Sequence, residues 1–162
     1  MLNLKTIKLC FFIVCVNGHL LAQPLSFEHV TTLNGLSTNS INAIKQDYRG
    51  FMWIATSCGL NRYDGVSFKK YLSDPKNQNA ISTDYTYSIL ADSKKTLWIG
   101  TAVGLNKLDL ETNKIDRIPI SGADSGVSQR DVICLYEDRE SNIWIGTANG
   151  LNLLADREKN LF

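Results

Sequence analysis

The feature that most constrains this chain is a gapless internal repeat. Asp47, Trp53, Gly59 and Asn61 recur as Asp92, Trp98, Gly104 and Asn106, and again as Asp138, Trp144, Gly150 and Asn152. The two intervals are 45 and 46 residues, and Ser37, Ser82 and Ser128 upstream keep both of them. So do Ile44, Ile89 and Leu135. The repeated unit is therefore much longer than the conspicuous block around each tryptophan, and a chain built this way must stack like units against one another.

Within each unit, short runs rich in β-branched and aromatic residues alternate with turn residues, which selects strands over helices. In the first unit the runs predict strands over 41–47, 51–56, 60–63 and 67–72, with turns at Tyr48-Arg49-Gly50, Ser57-Cys58-Gly59 and Asp64-Gly65. Asp64-Gly65 is the strongest hairpin signal, because glycine takes the positive φ that a tight reversal needs. Four antiparallel strands per unit at this period define a β-propeller blade, whose two faces are covered by its neighbours.

The fold expected is thus all-β: about three four-stranded antiparallel blades of a larger ring, taken as seven-bladed and truncated here. The blades are expected at 37–81, 82–127 and 128–162, the last incomplete, preceded by a lead-in at 23–36. In that lead-in, Phe27 to Val30 followed by Asn34-Gly35-Leu36-Ser37 echoes Phe68 to Tyr71 followed by Asn79-Ala80-Ile81-Ser82. The echo predicts an outermost strand of the kind that closes a ring by completing the last blade. Because propellers use four to eight blades, the chain is expected to be a fragment with open terminal faces. The remaining blades of the same propeller are its natural partners, and a homodimer is a second way to cover those faces.

The recurring residues are assigned structural roles. Trp53, Trp98 and Trp144 on the second strands are expected between adjacent sheets, each burying about 150–250 Å², or about 4–6 kcal/mol at most. A sugar-stacking platform is the alternative, and recurrence in every unit favours packing. Asp47, Asp92 and Asp138 sit at turn mouths, where a carboxylate more often accepts bonds from its own turn backbone than binds calcium. Gly59, Gly104 and Gly150 supply a special backbone conformation. A phosphate cradle would need a following helix and a lysine, and neither is present in the pattern.

Charge and cysteine usage exclude several classes. The net charge is +1 and 20% of residues are charged, with the two signs interspersed, so no basic footprint points to nucleic acid. Lys5 and Lys8 precede the apolar run Leu9 to Val16, and Leu20-Leu21-Ala22 follows. This reads as a signal peptide over 1–22, cleaved after Ala22, which implies export to the periplasm. The run is far short of the about 20 residues that span a bilayer, and no other segment is a candidate span. Cys10 and Cys15 leave with the leader, and Cys58, Cys134 and His29 make neither a disulfide framework nor a zinc site. No metal, no cofactor and no catalytic residue is assigned.

The stretches Phe51 to Gly65, Leu97 to Asp109 and Ile143 to Leu154, with the lead-in Asn34 to Ile41, closely resemble the two-component regulator propeller repeat. The resemblance covers nearly all of the expected mature chain. It implies the N-terminal periplasmic sensor part of a hybrid two-component system of the Bacteroidota type, which senses oligosaccharides and controls polysaccharide-utilisation genes. The histidine kinase of the full-length family has no counterpart in these residues, so the chain itself is not expected to be an enzyme.

Ligand contacts are expected where strand-joining loops gather around the channel, with Asn39, Ser57, Tyr85, Arg130 and Asn149 as candidates. The alternatives are a secreted propeller enzyme of the lyase or glycosidase type, or an extracellular protein-binding scaffold. The enzyme reading needs a converging acid and base, which the sequence does not supply. The sensor half of a different output, such as a cyclic-dinucleotide synthase, is a variant of the sensor reading.

Overall fold

In a computed structural model, the described residues are 25–118 and 131–154. The expected signal peptide, Ser128, Arg130 and the stretches 119–130 and 155–162 lie outside them.

Each repeat folds as a meander because its strands are short, its turns are tight and consecutive runs pair antiparallel. The first sheet comprises β1 (Ile41–Gln46), β2 (Met52–Thr56), β3 (Gly59–Tyr63) and β4 (Phe68–Tyr71), hydrogen-bonded in chain order. The second repeats this with β5 (Thr86–Ala91), β6 (Thr96–Thr101), β7 (Gly104–Asp109) and β8 (Ile115–Ile118). The third contains β9 (Val132–Glu137), β10 (Ile143–Thr147) and β11 (Gly150–Leu154), paired in the same way. Strand ends in the first sheet fall within a residue of those expected from the repeat.

The sheets stack face to face. β1 packs against β5, and β5 against β9, so the first strands lie closest together. This is the radial arrangement of successive propeller blades, with the first strand of each sheet innermost.

Two apolar clusters fill the two gaps. In the first, Trp53, Ala55 and Leu60 of one sheet meet Ile89, Leu97, Ile99 and Leu108 of the next. In the second, Leu90, Trp98 and Leu105 meet Val132, Ile143, Ile145 and Leu154. The period-2 alternation of side chains explains the assignment: Trp98 sits in register with Leu90, and Ile99 with Ile89, so the two sets point to opposite faces. Every interface therefore has the same polarity, a tryptophan face against the isoleucine face of the following sheet. Trp53 and Trp98 are 0% and 1% exposed, as the packing expectation requires, while Trp144 is only half-buried.

Phe27–Val30 forms no strand, and Leu25, Phe27 and His29 are exposed. A strand needs a neighbouring edge to bond to, and none among the described residues is offered to this stretch. Val30 and Leu36 instead lie over the free face of the first sheet, lining an apolar groove of 240 Å³ with Ile41, Ile44, Met52 and Ile54. A 3-10 turn at Thr32–Asn34 follows, capped by Thr31 and closed by Gly35 at φ 107°.

Candidate functional site

The two ends of the sheets differ in chemistry. At one end, the first two strands of each sheet are joined by a hairpin organised around its aspartate. Asp92 Oδ1 accepts the backbone N–H groups of Lys94 and Thr96, both at 2.9 Å, and Oδ2 accepts the indole N–H of Trp98 at 2.8 Å. Asp47 does the same for Arg49, Phe51 and Trp53, and Asp138 for Glu140, Asn142 and Trp144. The turn role expected from the sequence is present. The indole bond was not anticipated, although the constant six-residue spacing is the signal that carries it. With both oxygens engaged by N–H donors, these carboxylates are turned onto their own hairpins, and Asp47 Oδ2 also pairs with the Arg49 guanidinium at 3.3 Å.

A second recurring network ties each lead-in to its sheet. The Ser37 N–H donates to Asn61 Oδ1 at 3.1 Å, and Asn61 Nδ2 donates back to Ser37 Oγ at 2.7 Å. Thr56 Oγ1 lies 3.0 Å from Ser37 Oγ and donates to the Gly59 carbonyl. Ser82, Asn106, Thr101 and Gly104 repeat it in the second sheet. The asparagines and threonines are buried because they are paired, with the serines half-buried beside them, so these residues are framework and not a site.

The opposite end is the rim where the first strands begin and the second strands turn into the third. Three equivalent bonds define it: Ser57 N–H to the Ser40 carbonyl, Ala102 N–H to that of Tyr85, and Ala148 N–H to that of Asp131. The expected candidates Ser57 and Tyr85 lie on this rim, and Asn39 and Asn149 adjoin it in the chain; Arg130 is outside the described residues. Asn39 Oδ1 accepts the Thr32 N–H at 2.9 Å, and thereby holds the 3-10 turn. The Asn149 N–H donates to Thr147 Oγ1, and its side chain is exposed.

Sequence reasoning missed a feature of this rim. All three first strands carry a register irregularity one residue after their start: between Ile41 and Ala43, between Thr86 and Ser88, and opposite Gly146 and Thr147, where Val132 and Cys134 are the partners. Asn42, Tyr87 and Ile133 are the residues passed over, at the same position in each repeat. A bulge of this kind re-aims a side chain, and no local composition signal announces it.

Tyr85 and Tyr87 stand together, ring centroids 5.0 Å apart and planes at 60°. Burial raises the Tyr87 phenol above its ordinary range, helped by the charge of Asp131 and by Tyr85. Asn42 Nδ2 donates to the Thr86 carbonyl at 2.7 Å, joining the first two sheets.

Stacked four-stranded meanders with a constant tryptophan-on-isoleucine interface define a β-propeller built from sequence repeats. The family model of the two-component regulator propeller matches residues 35–58, 80–102 and 126–149, one match per unit. A stretch of 54 residues is 39% identical to Histidine kinase P4 of Formosa agariphila, covering 33% of this chain and 4% of that protein. The extracellular domain of the hybrid two component system BT3049 from B. thetaiotaomicron superposes over 83% of this chain and 19% of its own, with a TM-score of 0.76 and 26% identity. The extracellular domain of BT4673 from the same organism shares the fold over 77% of this chain and 22% of its own, at a TM-score of 0.50 and 21% identity. The chain spans only a small part of each relative. Its fold is shared with the extracellular domain of a hybrid two component system, and no helix among the described residues is long and apolar enough to cross a membrane.

Proposed function

We propose that this chain is part of the exported, periplasmic sensor region of a hybrid two-component receptor, and that it contributes to the recognition of carbohydrate, so controlling genes for polysaccharide use. The observation that carries the reading is the bare, hydroxyl- and amide-bearing rim, to which Ser57 and Tyr85 belong, in a fold shared with the extracellular domain of a hybrid two-component system. Sugars are bound by such surfaces, where aromatic faces meet C–H groups and short polar side chains meet hydroxyls. The kinase belongs to other parts of the receptor. Further blades of the same propeller cover the tryptophan face of the third sheet and the isoleucine face of the first.

An enzymatic role is less well supported. Acid–base cleavage needs two free converging groups, and the Asp84 carboxylate near the rim is turned back to accept the Ser73 N–H at 2.6 Å. The test is calorimetric titration of the full chain with neutral, uronic-acid and sulfated hexasaccharides. Saturable binding without cleavage of at least one class is expected. Heat from none of them, or chain-length reduction of any, would overturn the reading.

A further inference from the structure

The repeat holds its packing positions nearly constant and varies its rim. At the position just before each first strand stand Ser40, Tyr85 and Asp131, and at the bulge stand Asn42, Tyr87 and Ile133. The residues between and beyond them, Ile41, Thr86 and Val132, then Ala43, Ser88 and Cys134, are small or β-branched. Thr86 and Val132 are fully buried. A structural job would call for the same residue in each repeat, as it does for the tryptophans. The first strands also vary further along, at Lys45, Leu90 and Tyr136, but the two positions at their rim end differ where side chains such as that of Tyr85 are exposed, which leaves their chemistry free to be set by something outside the fold.

We propose that Tyr85, Tyr87 and Asp131 form a sugar-binding subsite at the channel mouth, with the bulge in β5 presenting the Tyr87 side chain and the second and third sheets each supplying part of the site. This rests on the carbohydrate reading and deepens it. Tyr85 is 44% exposed and its ring leans on that of Tyr87, so the pair offers an apolar face about one sugar ring wide, held at small entropic cost because each tyrosine has two side-chain torsions. The Tyr87 hydroxyl donates to a ring or hydroxyl oxygen. The Asp131 carboxylate accepts from sugar hydroxyls, the stronger kind of hydrogen bond because one partner is charged. Because Tyr87 lies on β5 and Asp131 precedes β9, the subsite bridges two sheets, and occupancy couples their relative position to the ligand.

The test uses the full chain on an array of immobilised neutral, uronic-acid and sulfated oligosaccharides. Tyr85→Ala and Asp131→Asn are each expected to weaken the bound signal about tenfold, and Tyr87→Phe several-fold, with Tyr136→Ala, an exposed tyrosine on another face, unchanged. Hydrogen exchange on the unmutated chain gives a readout independent of any substitution: the binding oligosaccharide should slow exchange at residues 85–87 and 131–133. If the unmutated chain binds sugars while the three variants bind equally well and those amides are unprotected, the subsite is wrong and the carbohydrate reading stands. If the unmutated chain binds no sugar, both fall together.

Discussion

The aspartate at each hairpin is the residue on which most local structure depends. Removing the Asp92 carboxylate deprives two backbone N–H groups and the Trp98 indole of their acceptor at once. Asp92→Ala should therefore cost about 1–3 kcal/mol in urea denaturation, because unsatisfied donors lose more than a hydrogen bond is worth on average. Asp92→Asn should cost less, since its amide oxygen can still accept. The same bonds set a pH dependence. The Trp144 indole, followed by Asn142, holds Asp138 at about 2, below its ordinary 3.8. A carboxyl depressed on folding stabilises the fold above its unfolded value and loses that contribution as pH falls through its folded value. Stability attributable to Asp138 should thus be intact above about pH 4 and decline towards pH 2. Asp138→Asn should remove that part of the slope, which thermal melts across this range would measure; an unchanged slope would mean that the indole bond is not formed in solution.

At the scale of strands and turns, the positions of Gly59 and Gly100 show two different reasons for glycine. Gly59 lies at φ +96°, and a methyl there would come within 2.9 Å of the Tyr71 carbonyl oxygen. This was legible in the sequence, because Gly59, Gly104 and Gly150 recur after a turn signal and a turn of this kind needs positive φ. Gly100 has no unusual backbone. A methyl there would clash with Ser88 Oγ of its own sheet and with the Val132 carbonyl oxygen of the next, the latter at 2.5 Å, so both sheets forbid a side chain. No sequence pattern announces such a contact, since Val132 belongs to a different unit. The first unit has Ala55 at the equivalent position, packed into the first cluster. Gly100→Ala is expected to cost about 1–3 kcal/mol by overpacking, and Gly65→Ala, with φ +98° but nothing within 4 Å, only about 1 kcal/mol. Equal losses in chemical denaturation would argue against close approach of the second and third sheets. Strand positions were readable for the same reason as Gly59: turn chemistry and period are local. The bulges at Asn42, Tyr87 and Ile133 were not, because they arise from how two strands register, and whether Phe27–Val30 becomes a strand depends on a partner edge that local composition does not encode.

The whole molecule is a stack with direction. Each tryptophan face receives the isoleucine face of the following sheet, which leaves the isoleucine face of the first sheet and the Trp144 face of the third without a neighbouring sheet among the described residues. Of the third sheet, Tyr136 and Leu151 are 64% and 66% exposed. The architecture was legible from the 45- and 46-residue intervals and the tryptophan on each second strand. The candidate rim was legible only in outline, as a place where loops gather, because its two tyrosines meet through a bulge. Identical-looking tryptophans thus contribute different amounts of stability according to whether a sheet lies upon them. The direct measurement is the loss of stability, by urea denaturation, in Trp98→Ala and Trp144→Ala. Trp98→Ala should cost about 3–5 kcal/mol, as for a large side chain removed from a closed core, and Trp144→Ala about 1 kcal/mol. Equal costs, or a Trp98→Ala protein as stable as its parent, would contradict the stacked arrangement.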